Sequence, residues 1–327
     1  MERNRHTVVG AGRIALVMAA VLAPGLAAAQ ADAYPSKPVR IVVPFPPGGS
    51  VDLNARMLSA RFGELLGQQI IVDNRGGASG MIGSEAVARA APDGYTLMLT
   101  TVPFVTSAQL YSRVPYDVLT DFAPISLMTN VPTAAGVHPS MPVKSVRELI
   151  ALARAKPGEL NYASSGIGSN SHITGELFNL MAKVNIVAIQ FKGGGPALLA
   201  AISGEAPVSF SNVSETARMV DGKRLRALGV SSPKPSPVLP GVPPIADVLP
   251  GFEFFAWHGL LAPKGTPPKL VAFLNEKLRA AMVAETKRFE ERGMEVKTTS
   301  PEEFTAYLKS EVAKWGRVVR ERNMKAE

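Results

Sequence analysis

Two short stretches hold the residues with which this chain could do chemistry. The first, Pro44-Phe45-Pro46-Pro47-Gly48-Gly49-Ser50-Val51-Asp52, follows an apolar run at 39–43 and precedes a segment of helical period. Glycines at such a strand-to-helix turn let the backbone approach a ligand closely. The opening amides of the helix have no partner inside it, so the turn is suited to hold an anion. Gly-Gly after a strand serves equally as plain turn chemistry. The second stretch, Ser164-Ser165-Gly166-Ile167-Gly168-Ser169-Asn170-Ser171-His172, occupies the same place between an apolar run and a helix. Its hydroxyls would suit a hydrolase in which Ser165 attacks and His172 takes the proton. No Gly-x-Ser-x-Gly elbow occurs, however, and no acid is placed to orient the histidine, so a polar histidine at a helix start is the simpler reading.

Other chemistries find less support. The four histidines, His6, His138, His172 and His258, lack the His-x-x-x-His spacing, and there is no cysteine to add a thiolate, which argues against a metal site. Neither Gly-x-Gly-x-x-Gly nor a phosphate loop ending in Gly-Lys-Ser/Thr is present, so no nucleotide and no other cofactor is implied. The formal charge of +8 is spread along the chain without a Lys/Arg run, which argues against nucleic acid as a partner. A weak positive field still favours small anions.

Residues 1–31 read as a secretory signal. Arg3, Arg5 and Arg13 form the basic start, Ile14 to Ala28 the apolar centre, and Ala29-Gln30-Ala31 a small-residue cleavage site. The apolar run is short for a bilayer span. Cleavage removes three Arg and one Glu, leaving a mildly basic chain long enough for two domains of common size. Without cysteine, the exported chain must rely on its core rather than on disulfides.

The elements that must position the two loops follow from periodicity. Strand, helix, strand, helix, strand is the pattern from Asp32 to about Val131. Val51, Ala55, Leu58, Phe62 and Leu65 form a helical stripe that Gly67 stops, and further strands lie at 70–72 and 95–101. This alternation predicts a parallel sheet covered by helices, with the loops at Pro44, Asn74 and Thr101 on one edge. A second set begins near Pro132. Ser145 and Glu148 spell a capping box for a helix over 146–156, and the Ser164–His172 loop mirrors the Pro44 turn. The strand 186–191, the turn Lys192-Gly193-Gly194-Gly195 and a helix opening at Pro196 repeat the unit, and strands follow at 208–213 and 225–230. Ser232 to Pro250 is rich in proline and reads as irregular. After it come a strand at 254–261, a helical region at 267–292 and a last helix capped by Ser300, with Phe304, Leu308, Val312, Trp315 and Val319 as its buried stripe. This tail is expected to pack on the first domain.

Many ordered motifs agree with one family. Tyr34-Pro35-Ser36-Lys37-Pro38, the Pro44–Asp52 turn, Asp73-Asn74-Arg75, Pro92-Asp93-Gly94-Tyr95-Thr96 and Asp121-Phe122-Ala123-Pro124 resemble the Bug (TctC) family. Asn161-Tyr162-Ala163-Ser164, His172, Gly175-Glu176-Leu177-Phe178, Lys192-Gly193, Leu225-Arg226-Ala227-Leu228, Trp257 with Gly259-Leu260 and Ala262-Pro263, and Pro301-Glu302-Glu303-Phe304 continue the likeness over the whole mature chain. These are extracytoplasmic solute receptors of tripartite tricarboxylate transporters.

The resemblance implies a two-domain α/β periplasmic-binding-protein fold of type II, with a ligand cleft between domains at 32–131 plus 255–327 and at 132–254. It further implies a periplasmic, monomeric, non-enzymatic receptor that captures a small carboxylate-bearing solute for membrane transporter subunits; a sensor protein is the alternative partner. Carried across, Phe45, Gly48, Gly49, Asp52 and Thr101 would line one side of the cleft. Ser165, Gly168, Ser169, His172, Gly193 and Asn212 would line the other. One departure concerns the ligand: where the family often carries aspartates in Gly-x-x-Asp-x-x-x-Asp-Asn, this chain has Pro207 and Ser211 in Gly204-Glu205-Ala206-Pro207-Val208-Ser209-Phe210-Ser211-Asn212.

Overall fold

The apolar run after Lys37 becomes β1 (Val39–Val43), and the helical stripe after it becomes α1 (Ser50–Leu66) in the computed structural model, which describes residue 1 and residues 34–326. Apart from Met1, the expected signal segment and its cleavage site lie outside the described residues. Lys37–Glu327 form a compact unit separate from Met1–Ser36.

Val51, Ala55, Leu58, Phe62 and Leu66 turn into the core, and Gly67, at φ 70°, ends the helix by donating its N–H to Glu64 O. β2 (Ile70–Asn74), α2 (Met81–Ala88), β3 (Thr96–Thr100) and α3 (Pro103–Leu110) follow. Next come β4 (Phe122–Val137), α4 (Val146–Ala155), β5 (Asn161–Ser164), α5 (Asn170–Ala182), β6 (Val187–Gln190) and α6 (Gly194–Ser203). The remainder is β7 (Val208–Asn212), α7 (Val213–Asp221), β8 (Arg226–Val230), β9 (Phe255–Pro263), α8 (Pro268–Ala284), α9 (Thr286–Glu290), β10 (Glu295–Val296) and α10 (Pro301–Glu321). Among the described residues no helix is long and apolar enough to cross a membrane.

The strands lie in the order β2-β1-β3-β9-β4-β7-β5-β6, with β8 and β10 also paired to β4. β1 is parallel to β2 and β3, and β5 is parallel to β6 and β7, as strand–helix alternation predicts. Every pair made by β4 or β9 is antiparallel. Two parallel strand–helix assemblies are thus joined through an antiparallel middle.

Of that middle, β9 matches the strand expected at 254–261, but the sequence pattern does not show β4. β4 runs for 16 residues through Pro124 and Pro132, residues that punctuate strands, and nearly all of it is buried, so no polar alternation marks it. Pro124 is tolerated because the pairing with β9 slips between Pro124 and Ser126, and Pro132 lies at the end of the β9 pairing, where β7 takes over from Thr133. Up to Pro132 the strand pairs with β9; from Thr133 it pairs with β7. Ser231 fastens the returning chain at the same place. Its hydroxyl accepts from the Thr133 N–H at 2.8 Å and donates to Phe254 O at 2.6 Å.

The caps behave mostly as read. Ser300 and Glu303 form the full reciprocal box at α10. At α4, Ser145 Oγ accepts from the Glu148 N–H, but the Glu148 carboxylate takes the Lys144 N–H instead of that of Ser145. α10 packs on α3, β4 and α5, so the tail lies on the first half and also reaches the second. Phe304, Leu308, Trp315 and Val319 are buried, Val312 only half so. Glu311 is buried among them, its Oε2 accepting from both Trp257 Nε1 (2.8 Å) and Trp315 Nε1 (2.7 Å). Just past α10, Arg322 reaches Glu176 of α5 at 2.7 Å, and Glu176 also accepts from the Tyr162 hydroxyl.

Candidate functional site

β1, β2 and β3 run in the sense of β4 and β5, β6 and β7 against it, and the turns leaving these two sets of parallel strands carry the candidate residues. Gly49 is the N-cap of α1, with its O accepting the first intrahelical bond from the Leu53 N–H, so the amides of Ser50, Val51 and Asp52 precede the helix ladder. Gly48 holds φ +84°, which a side chain would strain. Asp52 does not face a ligand. It turns back on the turn, its Oδ2 accepting from the Gly48 N–H at 2.9 Å and both oxygens accepting from Arg56 Nε at 3.0 and 3.1 Å. Asn74, at the end of β2, completes the clamp by donating to Phe45 O and accepting from Arg56. Burial pushes the Asp52 carboxyl up, but the bonds from Arg56, Gly48 and Asn74 and the Arg56 charge outweigh it and hold it below the usual carboxylate range.

Asp52→Asn is therefore expected to cost about 1–2 kcal/mol of stability, as the loss of charge-assisted bonds one of whose partners is exposed. The contribution is complete above an unfolded carboxyl pKa of about 4 and is lost as pH falls through the lower folded value. Urea midpoints of both proteins at pH 7 and in strong acid check this: the gap closes in acid. Ligand affinity should fall with stability. A tighter-binding variant of unchanged stability would mean that the carboxylate only repels the ligand.

The second turn is tied by side chains. Ser169 caps α5, its Oγ accepting from the His172 N–H at 3.3 Å. His172 Nδ1 accepts from the Gly168 N–H at 3.0 Å, which places the ring proton on Nε2. Burial lowers the ring's pKa, against an opposing effect of Glu176, so the imidazole is neutral. Ser171 Oγ accepts from the Ser165 N–H (2.8 Å) and lies 2.9 Å from Ser165 Oγ and 3.2 Å from Ser169 Oγ. Ser165 is thus bonded to Ser171 and His172 to Gly168, and the Ser165–His172 pair that a hydrolase would need is not formed. Thr106 of α3 donates to Gly168 O at 2.9 Å, linking this turn to the first half.

Between the turns lies a cavity of about 370 Å³. Of the residues singled out from the sequence, Phe45, Gly49, Thr101, Ser165, Ser169, Gly193 and Asn212 line it. Gly48, Asp52, Gly168 and His172 do not: they stand behind the wall and shape the turns that form it. Sequence reading missed Ser50, Ser79, Asn170, Ser171 and Glu215 among the polar lining, and Pro46, Val51, Pro103, Ala163, Ala197 and Phe210 among the apolar. Ser50, Asn170 and Ser171 sat inside the motifs already singled out. Ser79, held at φ 55° in the Gly-rich turn, had a weaker signal, and Glu215 in α7 had none. Ser211 lies in the wall, whereas Pro207 does not.

The electrostatics are unusual for an anion site, because no Lys or Arg lines it and Lys192 is not part of the wall. Among the described residues no group of His, Asp or Glu could hold a metal. Thr101 is 4% exposed, and its Oγ1 and the Oδ1 of Asn170 have no hydrogen-bond partner among the described residues. Behind α1, fully buried His258 meets Thr129 Oγ1 at 2.9 Å and lies 3.5 Å from the Oγ of Ser50. Burial pushes its pKa down to about 3.

Two strand–helix assemblies sharing a cleft of amides and hydroxyls at their strand ends define a solute-binding protein of the periplasmic class. The chain belongs to the tripartite tricarboxylate transporter family receptor (TctC) family, whose model matches residues 54–324. Protein BugT of Bordetella pertussis is 36% identical over 307 residues, 92% of this chain and 94% of that protein. Among solved structures, R. palustris Rpa4515 with adipate superposes with a TM-score of 0.81 at 35% identity, covering 89% of this chain and 99% of that one. MatC from Rhodopseudomonas palustris with bound malate gives 0.77 at 31% identity, covering 88% and 100%. The resemblance and the fold class read from the motifs are borne out.

Proposed function

We propose that this protein is exported to the periplasm and, as a monomer without catalytic activity, captures a small carboxylate-bearing solute in the cleft and delivers it to membrane transporter subunits. The observation that carries this reading is the wall itself: helix-start amides and hydroxyls, with the buried Thr101 hydroxyl free to donate and no Lys or Arg among them. A carboxylate satisfies such donors through charge-assisted hydrogen bonds without a salt bridge. The adipate and malate held by two similar structures support the chemical class. Thermal-shift screening of carboxylates against the purified protein tests it. A ligand at a hundredfold its Kd adds about 2.7 kcal/mol of stability, and a panel without any stabilising carboxylate would overturn the proposal.

In this reading residues 32–131 with 255–327, and 132–254, act as two domains that close on the solute. Support comes from the change of partner along β4 at Pro132–Thr133 and from the Ser231 fastening to Phe254, which put both chain crossings at one place. Saturating ligand is expected to reduce the radius of gyration in solution scattering. An unchanged radius would refute closure.

A further inference from the structure

Glu215 is the one ionisable side chain in the cleft wall. It occupies the first turn of α7, where Asn212-Val213-Ser214-Glu215 spells a capping box, and a carboxylate at that position ordinarily bonds back to the N-cap. No such box forms. Asn212 makes no side-chain cap bond, and the Glu215 carboxyl accepts no hydrogen bond from any described residue. A carboxyl that declines its local partner and faces a ligand cavity is placed to meet something the ligand brings. We propose that Glu215 receives an ammonium group of the solute, so that the preferred ligand is an amino carboxylate whose carboxylate lies against the turns of α1 and α5.

This inference rests on the carboxylate-receptor reading above and adds the chemistry of the ligand's other end. A dicarboxylate would bring two negative charges to a wall with one carboxyl and no cation, whereas a zwitterion balances both sides. Burial raises the pKa of Glu215, and Arg218 one turn on opposes the shift only in part. The ammonium of a bound ligand would supply the missing counter-charge. Ser211, which stands where related chains often have an acid, leaves Glu215 as the sole carboxyl on this wall.

Calorimetry with three matched series tests the proposal: ω- and α-amino carboxylates, dicarboxylates and unsubstituted monocarboxylates of three to six carbons. The best amino carboxylate is expected to bind at least about tenfold tighter than the best member of either other series, as one charge-assisted bond allows. Glu215→Gln should reverse the order, with amino carboxylates losing about tenfold or more and dicarboxylates gaining. Dicarboxylates ranking first on the unaltered protein, or an equal loss for all series in the variant, would overturn the assignment of Glu215 and leave the receptor reading standing. Failure of every carboxylate to bind would overturn both. If Glu215→Gln does not fold, the ranking on the unaltered protein decides.

Discussion

Ser169→Val is expected to weaken binding of the carboxylate solute by about 1.5–3 kcal/mol, because a bound anion loses a hydroxyl partner that water cannot replace inside the cleft. The same change removes the cap of α5, since Ser169 Oγ accepts from the His172 N–H, and that loss costs about 1 kcal/mol of stability. Ser169→Gly separates the two effects, because glycine at an N-cap costs only a few tenths of a kcal/mol. It should retain the affinity loss with near-normal stability. Lys192→Ala should reduce affinity by less than about 1 kcal/mol, as for a solvated charge, since Lys192 is not in the wall. Calorimetry on the three variants with a ligand found in the carboxylate screen checks this. A loss confined to Lys192→Ala would mean that an ion pair holds the solute.

The second large effect is acid loss of stability through His258. This ring is fully buried, and burial holds its pKa near 3, against about 6.5 in an unfolded chain. Below pH 6.5 the unfolded chain takes up a proton that the folded ring refuses, so stability falls as pH drops and levels only near the folded value. Between pH 6.5 and 4 the loss amounts to roughly 3 kcal/mol. Glu215 and Glu311, whose burial raises their pKa, act in the opposite direction, which is why the comparison must be made against His258→Gln. The variant starts less stable at pH 7, having lost the bond to Thr129 and some packing, and the two urea-midpoint curves should converge in acid. Parallel curves would show that His258 does not carry the acid sensitivity.

The binding turns were legible because their signals are local. Gly48-Gly49 and Gly166 to Ser169 each stand between an apolar run and a helical stripe, and the positive φ at Gly48 and Gly168 is a property of the turn itself. Ser145, Ser300 and Gly67 marked helix ends for the same reason, each acting within three or four residues of its own position. β4 was illegible because its evidence is long-range. Pro124 and Pro132 argue against a strand until β9 supplies a partner whose register slips beside Pro124 and which gives way to β7 after Pro132.

The residues of the site divide along the same line. Motif spacing picks out Asp52 and His172 with the turns they belong to, but the direction of each side chain depends on what lies opposite. Arg56 and Asn74 draw Asp52 away from the cleft, and the Gly168 amide holds the His172 ring behind it. Ser79, Thr101 and Glu215 come from three elements far apart in the chain, and only the packing of two assemblies around β4 brings them to one cavity. The sequence by itself determined the class of protein, the strand ends whose turns bind and the anion-holding character of those turns, because backbone geometry and helix-start amides are local. The tertiary structure decided which side chains face the solute, and that the one ionisable group among them is a carboxyl, because a cavity wall is a property of surfaces that meet from distant parts of the chain.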